Sequence, residues 1–131
     1  MTLTAPSHEP DMLSGHRVLV VEDDYFIADG LRQMLLGMGV EVVGPVATVD
    51  KALALIAASS QIDVAVLDVN LRDVMVFPVA DALKMRGVPF IFSTGYEGDT
   101  IPARYAHIQR FEKPVGMNAL AQALSHEINI Q

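Results

Sequence analysis

Short continuous apolar runs alternate with stretches whose apolar residues recur at helical spacing. Val18–Val21, Val40–Val46, Val64–Leu67, Phe90–Phe92 and the brief Ile108–Phe111 are strand-like runs. Continuous runs of this length suit strands buried on both faces. Between them, Ile27, Leu31, Met34, Leu35 and Met38 follow a helical stripe, closed by Gly37 and Gly39. Val49–Ala58 is rich in Ala and Leu and predicts a second helix, and Val76, Val79, Ala80 and Leu83 predict a third. Pro78 is tolerable in the first turn of that third helix. The segment from Glu97 to Ala106 holds Gly98 and Pro102 and predicts only a short or frayed helix. A last helix runs through Leu120, Ala123, Leu124 and Ile128, with Asn118 as its N-cap. Five strands alternating with five helices predict an α/β domain: a doubly wound parallel sheet covered on both faces.

Length and composition narrow this further. At 131 residues the chain suits one domain, and 51% hydrophobic residues can fill its core. Residues 1–15 are polar, carry Pro6 and Pro10, and are expected to be a flexible lead-in to a domain spanning 16–131. That lead-in lacks the basic start and apolar stretch of a secretory signal. No apolar run approaches the roughly 20 residues that span a bilayer, and no cysteine is available for disulfide or thiol chemistry. A cytoplasmic location is the expectation, with no membrane contact. The net charge of −7, without a basic stripe, argues against nucleic acid as a partner.

The candidate chemistry lies where the strand runs end. The first ends in Glu22, Asp23 and Asp24, the third in Asp68, the fourth in Ser93 and Thr94, and the fifth in Glu112, Lys113 and Pro114. In an open parallel sheet, ligands bind beyond the carboxyl ends of the strands. Glu22, Asp23 and Asp68 are the oxygen donors that Mg²⁺ prefers, and the Asn70 backbone carbonyl lies in the loop where it could complete the shell. Carboxylates so close repel, and a divalent cation removes the conflict. Asp68 can act as a nucleophile toward phosphorus. Thr94 can donate to a phosphoryl oxygen, and Lys113 can neutralise one. The bond from Lys113 to Pro114 is a candidate cis peptide that would aim the ammonium inward. Taken singly each residue has an ordinary explanation: a helix-opening acid, a turn aspartate, a strand threonine, an exposed lysine. Their joint order is what points to phosphoryl transfer onto an aspartate.

The segments Val18-Leu-Val-Val-Glu-Asp-Asp24, Val66-Leu-Asp-Val-Asn-Leu71, Phe92-Ser-Thr-Gly95 and Glu112-Lys-Pro114 resemble a response regulator receiver domain of a two-component system. The resemblance implies a flavodoxin-like five-stranded sheet of order 2-1-3-4-5. It implies that Asp68 takes a phosphoryl group from a histidine kinase or phosphotransfer protein. It further implies that Asp23 ligates Mg²⁺ directly with Glu22 beside it, and that Thr94 and Lys113 contact the phosphoryl group. Two departures concern the readout: the poor helix pattern across Glu97–Ala106, where the family has its usual output face, and the placement of the switch residues. The family's aromatic switch position, three before the lysine, holds Arg110, and Tyr96 follows Thr94 by two. The run Phe90-Ile-Phe-Ser-Thr-Gly-Tyr96 is similar to a subset of single-domain receivers with a Phe-Ala-Thr-Gly-Tyr motif. Tyr96 is therefore expected to take over part of the switch role or to shield the acyl phosphate from water.

The resulting expectation is a stand-alone receiver, not an enzyme, acting through an unknown downstream protein or as a phosphate sink or relay, as a monomer or weak dimer. Two alternatives stay open: an aspartyl-phosphate phosphatase of the haloacid dehalogenase kind, and a receiver-like module that is never phosphorylated. The first conflicts with the order of the motifs, since its nucleophile precedes its acid pair.

Overall fold

The structure is a computed structural model that describes residues 13–95 and 100–129. The elements run β1 (Arg17–Val21), α1 (Tyr25–Gly37), β2 (Glu41–Val46), α2 (Val49–Ala58), β3 (Val64–Asp68), β4 (Asn70–Leu71), β5 (Val74–Met75), α3 (Phe77–Met85), β6 (Phe90–Thr94), a 3₁₀ turn (Ala103–Tyr105), β7 (Arg110–Glu112) and α4 (Met117–Asn129). Five strands form one parallel sheet in the order β2-β1-β3-β6-β7. Numbered among themselves, these strands stand in the expected order 2-1-3-4-5. No described helix is long and apolar enough to cross a membrane.

Helices cover both faces because the central strands are apolar on both. Along β3, Ala65 and Leu67 face one core with α2 and α3, while Val64 and Val66 face the other with α1 and α4. This is the two-residue alternation of a strand. Burying one such leucine side chain fully contributes about 1.5–3 kcal/mol. Leu13 is completely buried in the second core, so the packed unit reaches back beyond the expected boundary at residue 16.

Three local features were not expected. Among the described residues, four α-helices take the place of five, and the weak segment supplies only the 3₁₀ turn at Ala103–Tyr105. Its Pro102, and the lack of an apolar stripe, leave little to sustain a longer helix. Asn118 is not the cap of α4: the helix already includes Met117, and Leu120 N–H donates to the Gly116 carbonyl at 3.0 Å. Finally, β2 carries an extra residue against β1, where Leu19 pairs with Val43 but Val21 with Val46. Gly44 enables this bulge at φ +95, where a Cβ would meet the Val20 carbonyl oxygen at 3.0 Å. The following Gly44–Pro45 bond is cis. Beyond the bulge, the Val46 carbonyl accepts the Glu22 N–H at 2.9 Å, which ties the first acidic residue to the edge strand.

Candidate functional site

The carboxyl ends of β1, β3, β6 and β7 converge on one edge of the sheet. Glu22, Asp23 and Asp68 each bring a carboxylate oxygen to within 4.8 Å of the other two. Glu22 and Asp68 are buried, while Asp23 is half-buried and opens onto a cleft. Lys113 enters from the end of β7. Its Nζ lies 2.8 Å from Glu22 Oε1 and 3.2 Å from Asp68 Oδ2. The Lys113–Pro114 bond is cis. The Asp24 side chain caps α1, accepting from Phe26 N–H at 2.9 Å and Ile27 N–H at 3.1 Å.

Burial dominates the electrostatics. It pushes the Asp68 carboxyl from its ordinary 3.8 up to about 8, helped by a hydrogen bond with Asp23 and the charge of Glu22 and opposed by Lys113. Burial alone would lower the Lys113 ammonium. The bond to Glu22 and the charges of Glu22 and Asp68 outweigh it and hold the ammonium above its ordinary value. Three carboxylates facing one ammonium therefore leave negative charge that only protons or another cation can offset. An all-oxygen donor set with one carboxyl forced toward its protonated form fits a hard divalent ion such as Mg²⁺.

Between Asp68 and α3 the chain makes a small antiparallel hairpin, β4–β5. Its two turn residues, Arg72 and Asp73, adopt φ 54 and φ 71, the left-handed geometry of tight hairpins. The Asn70 side chain fixes the turn by accepting the Asp73 N–H at 2.7 Å, and Asn70 N–H lies 3.4 Å from Asp68 Oδ1. Asn70 thus lines the same cleft as Asp23, Asp68 and Lys113. The turn also projects Arg72, whose Nε lies 3.5 Å from Asp23 Oδ2. The sequence reading missed this residue. Its only signal was a cation four positions after Asp68, with no glycine to mark the turn that folds it back.

Thr94 is buried at the end of β6, where its carbonyl accepts the Lys113 N–H at 2.8 Å and its hydroxyl lies 3.5 Å from the Phe111 carbonyl. Arg110 is exposed on β7 and pairs in register with Phe92. Tyr96 falls outside the described residues. Tyr105 is buried among other aromatic residues, enclosed by Phe77, Phe90 and Phe92 at ring separations of 5.5 to 6.2 Å. Its hydroxyl donates to Asp81, to which Arg104 also donates at 3.2 Å.

Comparison with known proteins agrees with this geometry. The family model described as "Response regulator receiver domain" matches residues 18–125. No curated protein matches the chain. The solution structure of SdrG from Sphingomonas melonis Fr1 is 38% identical, with a TM-score of 0.77 over 86% of this chain and 96% of that one. A CheY-like receiver domain protein from Methanospirillum hungatei JF-1 is 28% identical, with a TM-score of 0.77 over 88% of this chain and 94% of that one. The response regulator PhyR from Brucella abortus is 25% identical, with a TM-score of 0.78 over 95% of this chain but only 52% of that longer one.

Proposed function

The chain belongs to the response regulator receiver family, and from that premise we propose that it is a phosphorylation switch whose Asp68 accepts a phosphoryl group. One observation carries the reading: a buried aspartate at a strand tip, held within 4.8 Å of two more carboxylates and 3.2 Å from a lysine ammonium. An Asp68 oxygen attacks phosphorus as the bond from phosphorus to the donor's histidine nitrogen breaks, and the nitrogen keeps that electron pair. Only the carboxylate form attacks. With Asp68 pushed up to about 8, that form requires nearby positive charge at neutral pH. Lys113 supplies part of it and is placed to neutralise a phosphoryl oxygen as charge builds up. Glu22, Asp23, Asp68 and the Asn70 backbone carbonyl would hold Mg²⁺, which when bound adds the charge to keep Asp68 ionised and to shield the phosphoryl oxygens. Thr94 would rotate its hydroxyl from the Phe111 carbonyl to the phosphoryl group, coupling its arrival to the β6 end.

The donor would be a sensor histidine kinase or a phosphotransfer protein in the cytoplasm. Output would come from a downstream protein that distinguishes the two states, or from draining phosphoryl groups as a sink or relay. The relative SdrG also has a BeF3-activated conformation in solution, 38% identical to this chain with a TM-score of 0.71. Beryllofluoride imitates a phosphoryl group on a carboxylate, which supports a switch over an inert module. Incubation with acetyl phosphate and Mg²⁺, followed by intact-mass analysis, tests the proposal. A single stable adduct, absent from Asp68→Asn and in EDTA, is expected. Turnover of many equivalents would point to a phosphatase, and no adduct at all would overturn the switch.

A further inference from the structure

Resting on the metal-dependent reading of Asp68, we infer that Arg72 is a built-in competitor of the divalent ion, occupying Asp23 until the metal displaces it. The acidic cluster carries a cation on each side. Lys113 closes the inner side, with its side chain only 14% exposed and bonded to both Glu22 and Asp68. Arg72 closes the outer side through Asp23, and its own side chain is 82% exposed. Asp23 is the most exposed of the three carboxylates, so an ion arriving from solvent meets first the carboxylate that Arg72 holds.

The two cations differ in how readily they leave. Displacing Lys113 would strand two buried carboxylates, whereas Arg72 gives up one ion pair and returns an exposed guanidinium to water. A pair whose cation is this exposed contributes little, which makes it a suitable placeholder: it offsets charge before the metal binds and yields to a doubly charged ion. The hairpin fixes the origin of the side chain, because Arg72 sits at φ 54 in a turn tied by the Asn70–Asp73 bond. Chain connectivity therefore keeps the guanidinium near the cleft, while its side chain stays 82% exposed.

The test is the Mg²⁺ affinity of the unphosphorylated full chain, by calorimetry or amide NMR titration. Wild type is compared with Arg72→Gln, which retains much of the aliphatic stem, and with Arg72→Ala. Both variants should bind Mg²⁺ about two- to fivefold more tightly, and the gap should narrow as salt screens the pair. Arg72→Lys should fall between wild type and Arg72→Gln. A purely structural role in the hairpin would act in the opposite direction, since loosening Asn70 and Asp68 weakens the site. Variants that bind no more tightly than a Mg²⁺-binding wild type overturn this inference and leave the switch standing. A wild type and variants that all fail to bind Mg²⁺ overturn both.

Discussion

Asp68 and Asp81 both touch a cation, yet their environments drive them in opposite directions. Asp68 is buried among carboxylates, and its carboxyl is pushed up to about 8. Asp81 lies on the exposed side of α3, where the Tyr105 hydroxyl and then Arg104 hold its carboxyl below the ordinary value. A cation alone does not decide a carboxylate's state. What decides it is how much water has been removed and how many like charges share the space. The first arrangement costs stability. The second stabilises, by fastening the 3₁₀ turn to α3.

The widest test of this contrast is to remove the cation on each side. Lys113→Met strands Glu22 and Asp68 and should cost about 3 kcal/mol in denaturant unfolding, near the lower end for a broken buried pair because Asp68 can take up a proton. Arg104→Ala, which breaks an exposed pair, should cost far less. Equal losses would dissolve the distinction.

The pH dependence should differ in sign. A carboxyl raised on folding binds more protons in the native state, so stability falls as pH rises from about 4 toward about 8 in EDTA. Replacing Asp68 by Asn should flatten that limb, and Mg²⁺ should offset it. A carboxyl lowered on folding works the other way: the stability from Asp81 is present above the ordinary carboxylate range and is lost as pH falls below it. Thermal melts of wild type, Asp68→Asn and Asp81→Asn across this range would show whether the slopes oppose. A smaller effect than that of Lys113→Met is expected for Tyr105→Phe. It keeps the ring in its aromatic enclosure and deletes one hydrogen bond, at about 0.5–1.5 kcal/mol. Its loss should be confined to pH values at which Asp81 is ionised.

What could be read without coordinates follows from range. Val64–Leu67 is a buried strand because four apolar residues in a row have few other places to go. Parallel topology then carries Asp68, Glu22, Asp23 and Lys113 to one edge whatever the details of packing. The features that escaped depend on contacts distant in sequence or on backbone geometry without a residue signal. Arg72 and Asp73 take left-handed angles with no glycine between them. Tyr105 stands outside any apolar stripe and is buried because Phe77, Phe90 and Phe92 surround it. The orientation of Thr94 toward the Phe111 carbonyl is a rotamer, which no pattern of residues encodes.

The bulge in β2 has a consequence for how copies of the protein meet. The outermost strands of a sheet present unpaired backbone groups that invite another strand to join. Here β2 is interrupted by a bulge and by Pro45, which has no N–H to offer, and β7 is three residues long with exposed Arg110 and Glu112. Both borders therefore refuse sheet extension. Copies of this chain cannot readily assemble into a continuous ribbon, and self-association is left to the helical faces.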